Sequence, residues 1–113
     1  MILERNEDRE LCADLVQVQW KTESGTSCED WGILEDISPS GACLEMEKKI
    51  RPDTVVFMDF PTDRCQARVM YCKFDKVKYL VGVEFTQGYR WSRRKFKPRH
   101  LIQFRLRKVA GSK

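Results

Sequence analysis

The sequence predicts an all-β fold, six short antiparallel strands followed by a short C-terminal tail that is helical or extended. Three observations carry this. Segment after segment alternates apolar and polar residues with period two, the segments are separated by Gly, Pro, Asp and Ser clusters at close spacing, and no long helical pattern lies between them. A sandwich and a barrel both satisfy such a pattern, and a barrel is the preferred reading because closure removes exposed strand edges. At 113 residues the chain is the size of one domain, since a second core would leave both too small to fold.

The first strand is predicted over Ala13 to Thr22, with Val16, Val18 and Trp20 on the buried side and Gln17, Gln19 and Lys21 opposite. Glu23-Ser24-Gly25-Thr26 supplies a tight turn, which makes the next strand, Cys28 to Ile37, its hairpin partner. That strand breaks at Ser38-Pro39-Ser40-Gly41, and Ala42 to Met46 resumes as a short strand. A turn at Arg51-Pro52-Asp53 leads into the β-branched and aromatic run Thr54 to Phe60, closed by Pro61. In Arg64 to Phe74 the set Cys65, Ala67, Val69 and Tyr71 alternates with Gln66, Arg68 and Met70, and Lys78 to Phe85 completes the six. Trp20 and Trp31, both in strands, are expected in the core.

Beyond Phe85 the pattern is open. Ile102, Phe104 and Leu106 alternate with Gln103, Arg105 and Arg107 as in a strand, yet Pro98 ahead of this stretch also suits a helix start. The helix is the reading carried forward, with Trp91, Phe96, Leu101 and Phe104 anchoring it across the barrel. The chain thus divides into an arm (1–12), a barrel (13–88) and a basic tail (89–113).

Composition excludes several classes. No apolar run approaches the ~20 residues of a membrane span, and Met1 to Arg9 lacks the apolar stretch of a signal peptide, so a cytoplasmic location is expected. Five cysteines without close pairs read as reduced, mostly core thiols, and a single histidine, His100, leaves no metal site or histidine-based acid–base chemistry in prospect. Net charge is +4, but from Arg90 onward the chain carries no acid, while everything before it is net acidic. A basic tail on an acidic body suggests contact with an anionic surface or a solvated end.

Two features stand apart from a generic barrel. Arg5-Asn6-Glu7-Asp8-Arg9 places two arginines four apart before the first strand, and Asp36-Ile37-Ser38-Pro39-Ser40-Gly41 ends a strand in a turn. In this order they are similar to the signature motifs of the PilZ family, an arginine pair with three residues between and an Asp/Asn-x-Ser-x-x-Gly turn. Leu80-Val81-Gly82-Val83-Glu84-Phe85 looks like that family's closing strand, so the resemblance covers roughly residues 4 to 86.

The resemblance implies a PilZ-type six-stranded barrel that binds cyclic di-GMP, with the arm folding over the ligand. Arg5 and Arg9 would then grip its phosphates or guanine edges, because a planar guanidinium donates two parallel hydrogen bonds and also stacks on a base. Asp36 would accept from guanine N1 and N2, and Ser38 would add a hydroxyl on the same face. Gly41 would supply a positive φ or let the ligand approach the backbone. Tyr79 is a candidate ring beside a guanine, with strand packing as the alternative. Glu4, Glu7 and Asp8 around the arginines repel a dianion, and Glu4 where some members carry a further arginine points to one ligand molecule per site.

The leading function is therefore a stand-alone cyclic di-GMP receptor, not an enzyme, that changes conformation on binding and signals through an unidentified effector protein. The alternatives are a degenerate module that only contacts proteins, its motif residues merely capping a tight corner, and a small nucleic-acid-binding barrel using Trp91, Phe96 and the basic tail.

Overall fold

The structure, a computed structural model, describes residues 9–98. Six strands follow one another: β1 (Glu10–Lys21), β2 (Ser27–Ile37), β3 (Gly41–Met46), β4 (Val55–Phe60), β5 (Asp63–Asp75) and β6 (Lys78–Phe85). They close into an antiparallel barrel in the order β1-β2-β3-β6-β5-β4. The seam is the pairing of Gln17 to Trp20 in β1 with Val56 to Asp59 in β4. This closure decides for the barrel over the sandwich.

Alternation does most of the work. Cys12, Val16, Val18 and Trp20 of β1 point inward with Leu34, Ile37, Leu44, Met46, Val56, Met58, Phe60, Cys65, Ala67, Val69, Val81, Val83 and Phe85. Asp14, only 3% exposed, sits in the same inward row, a burial that alternation alone places and hydrophobicity does not. The β1–β2 hairpin turns at Gly25, whose φ of 90° needs a residue without a Cβ, and is tied by Gly25 N donating to Thr22 O at 2.9 Å.

Three ladders shift register, between Leu11 and Asp14, between Leu34 and Asp36, and between Val69 and Tyr71. Each extra residue reverses the facing of everything after it. Tyr71 thus leaves the inward set in which simple alternation places it and comes to lie on the outer surface, opposite Gly82.

The segment after β6 is part of the core. Trp91 and Phe96 are 5% and 4% exposed, Phe96 stacks on Phe60 at 4.6 Å, and the Trp91 indole N–H donates to Phe96 O at 2.7 Å. Burial, together with the hydrogen bond it donates to Asp63 Oδ2 (2.7 Å), pushes the Tyr89 phenol well above its ordinary range. The stretch from Arg90 to Pro98 forms turns, and no helix occurs among the described residues; Leu101, Ile102, Phe104 and Leu106 lie outside them. Trp31 is a correction. It is 56% exposed, opposite Gln17 on the outer face of the hairpin, because adjacent Gly32 takes the inward position against Met46.

Candidate functional site

The end of β2 fixes the site. Leu34 and Ile37 are both fully buried although three residues apart, which a regular strand cannot achieve because odd spacings face opposite ways. The register shift before Asp36 resolves this, turning Ile37 in and Asp36 out. Crowding follows for the neighbouring acid: burial first, then Glu45, Asp36 and Asp75, raises the Glu35 pKa.

Arg9, the residue before β1, donates from its guanidinium to Asp36 Oδ1, so the second arginine of the arm reaches the acid of the turn across 27 residues of chain. The groups are 26% and 19% exposed, half-withdrawn from water, where a charge-assisted hydrogen bond is stronger than on an open surface. Arg5 lies outside the described residues.

Ser38 is 3% exposed. Its backbone N–H donates to Gly41 O at 2.9 Å and its hydroxyl to the same oxygen at 3.3 Å, closing the turn. Phe85 N donates to Ser40 O (2.8 Å) and Trp91 N to Pro39 O (2.9 Å), which pins the turn to β6 and to the C-terminal segment.

Gly41 is needed for a different reason from the one expected. Its φ is not among the positive values, and a Cβ there would sit 2.4 Å from Val83 O. The close neighbour is the barrel's own backbone. Tyr79 pairs with Met46 and packs edge-on against Phe74 at 5.2 Å. Gly41 pairs with Glu84 at the other end of the same ladder, five residues and ~17 Å away. The structure brings together Arg9, Asp36, Ser38 and Gly41, and leaves Tyr79 apart.

Sequence reasoning missed four residues beside them. On the outer face one row runs Asp36, Cys43, Gly82, Tyr71 and the next Gly41, Glu84, Arg68. Arg68 bridges Asp53 (2.7 Å) and Glu84 (3.2 Å), and the Tyr71 hydroxyl donates to Cys43 Sγ at 3.8 Å. Burial, then the Asp36 charge, pushes the Cys43 thiol up to about 11. A cleft lined by Arg9, Ser38, Ser40, Gly41, Met70, Tyr71 and Glu84 lies over this surface. Gly82, alone in an otherwise β-branched and aromatic strand, was the available signal.

A larger groove lies at the opposite end, between the β1–β2 hairpin and the loop before β4. It is wide and open, and its charges pair with one another, Arg51 with Glu23 at 3.0 Å and Arg64 with Asp59 at 3.2 Å. It offers no convergent set of polar groups. Among the described residues no cluster of His, Cys, Asp or Glu is suited to hold a metal ion, and no helix is long and apolar enough to cross a membrane. The site's chemistry is recognition: guanidinium groups for anions, carboxylates for paired N–H donors, and a flat ring.

A family model described as PilZ domain matches residues 4–97. Among solved structures, the chain is similar to the PilZ domain of YcgR from Escherichia coli with c-di-GMP, at TM-score 0.57 and 14% identity over 96% of this chain and 95% of that one. It is similar also to YcgR in complex with c-di-GMP (0.54, 14%, 96% of this chain and 48% of that one). A third is the inhibitor of motility MotI/DgrA of Bacillus subtilis (0.52, 15%, 96% and 52%). The chain thus spans about half of these last two proteins, and at such identities the likeness concerns the fold. Comparison with curated proteins gives no match.

Proposed function

The chain belongs to the PilZ domain family, and we propose that it is a cyclic di-GMP receptor that acts as a cytoplasmic adaptor, signalling through a partner protein and not through catalysis. The observation that carries this reading is the contact of Arg9 with Asp36, which joins the arginine arm to the turn motif at one place on the barrel surface.

The pair is also the switch. Arg9 presents N–H donors to Asp36, and the N1 and N2 groups of a guanine present the same donors to the same acceptor. A guanine edge on Asp36 frees the Arg9 guanidinium to turn to a phosphate or to the base's O6 and N7 edge, with Arg5 as the second cation from the arm. Charge pairing is exchanged and not lost, so the cost of opening the ion pair is offset within the complex. Ser38 and Gly41 hold the turn rigid and the acid in place. The ordered arm then presents a new surface to the effector.

The nucleic-acid reading loses its platform. Trp91 and Phe96, the rings it needs for stacking, are buried against the barrel. The interaction-module reading remains distinguishable by stability. Cyclic di-GMP at about 100 times Kd stabilises a one-site receptor by about 2.7 kcal/mol, a rise in melting temperature of roughly 10–20 °C for a domain this size. An unchanged melting temperature with cyclic di-GMP would leave the motifs a purely structural part.

A further inference from the structure

We propose that Tyr71 is the platform on which one guanine of the ligand stacks, an assignment that rests on the cyclic di-GMP reading above. Three independent features of the backbone prepare it. The register shift between Val69 and Tyr71 turns the side chain to the outer face. The directly opposite residue is Gly82, and a Cβ there would fall 2.2 to 2.8 Å from three atoms of the ring, so only glycine lets the ring lie down on β6. The hydroxyl reaches on to Cys43 Sγ, 3.8 Å away in β3, which ties the far end of the ring to the sheet.

A ring that starts on β5, crosses β6 and is tied to β3 is held parallel to the sheet. One face rests on Gly82 and the other borders the cleft shared with Arg9, Ser38, Ser40, Met70 and Glu84. Asp36 lies in the same row, as the Cα partner of Cys43. The ring over β6 is two strand spacings from β2, ~10 Å, a gap that an aspartate side chain, one hydrogen bond and a purine fill together. A base lying on Tyr71 therefore turns its N1–N2 edge to Asp36. Stacking itself tolerates any base, so affinity comes from the ring and the choice of guanine from the acid.

The test uses the full chain and three variants. Tyr71→Phe keeps the ring and loses only the tie to Cys43; its affinity for cyclic di-GMP is expected within about threefold of wild type. Tyr71→Leu still covers Gly82 but has no π face; its affinity is expected to fall about 10–100-fold. Gly82→Ala, which lifts the ring, is expected to fall as far. The reporter that a purely structural role would not move is the guanine H8 proton. In the wild-type complex it should shift upfield and show cross-peaks to the Tyr71 ring, and the shift should persist in Tyr71→Phe. Wild-type binding with undiminished affinity in Tyr71→Leu, or an unshifted H8, overturns the stacking and leaves the receptor standing. A wild-type protein that binds no cyclic di-GMP overturns both.

Discussion

Gly41→Ala separates two accounts of the turn glycine. If Gly41 exists to let a ligand approach, alanine leaves the empty protein intact and weakens only binding. The geometry says otherwise. The new Cβ would stand 2.4 Å from Val83 O, about 0.9 Å inside the ~3.3 Å at which a carbon and a carbonyl oxygen begin to touch. Neither partner can withdraw cheaply. Gly41 and Ala42 are paired to Glu84 and Val83, Ser38 N bonds Gly41 O, and Phe85 N bonds Ser40 O. Overpacking of this kind costs about 1–3 kcal/mol, and one or two ladder hydrogen bonds lost in the adjustment add ~1 kcal/mol each. The total, about 2–4 kcal/mol, lowers the melting temperature by roughly 8–30 °C at 4–8 °C per kcal/mol. Thermal unfolding by circular dichroism without ligand reads it directly. Gly25→Ala is the control, with φ +90° but nothing within 4 Å, and should lose only the ~1 kcal/mol of backbone strain. A Gly41→Ala protein melting within 2 °C of wild type would refute the close approach of β3 and β6.

Three further outcomes follow from the core. Trp91→Ala should cost about 3–5 kcal/mol by the cavity it leaves, whereas Trp31→Ala on the open face should stay within about 0.5 kcal/mol, both read by urea unfolding. Burial first, and nearby carboxylates second, pushes Cys12 and Cys65 up to about 12, and Cys43 lies near 11; a thiol reagent at pH 8 should therefore label native Cys28 and Cys72 well before these three, and all five after denaturation. The same shifts set a pH dependence. Below the ordinary thiol value of 9.0 folded and unfolded chains hold these protons alike; between there and about 11 to 12 only the unfolded chain releases them, so melting temperature should fall across that window. A flat profile from pH 8 to 11 would contradict the burial of these thiols.

The six strands were legible because period-two alternation and turn residues are local signals. β6 matches residue for residue, and β1 begins at Glu10, three residues before the predicted start. What escaped is what alternation hides. A bulge adds one residue without marking it in the sequence, so Tyr71 was assigned to the interior, and the bulge before Asp36 decides which way that acid faces. Trp31 misled because hydrophobicity records a residue's preference for burial and not which side of the hairpin it occupies. Trp91 and Phe96 were legible as anchors but not as turns, since single aromatic residues carry no period. The motif pair was visible from spacing alone; its meeting at Arg9 and Asp36 needed the closed barrel to bring residues 27 apart together.

The central claim is that these two motifs form one cyclic di-GMP site. Calorimetric titration of the full chain at physiological salt tests it most directly, with Arg5→Ala and Asp36→Ala variants and cyclic di-AMP as controls. The account predicts saturable binding, micromolar or tighter, for wild type with cyclic di-GMP, lost in both variants and much weaker with cyclic di-AMP. Flat titrations for the wild type, or equal binding by the Asp36→Ala protein, would contradict it.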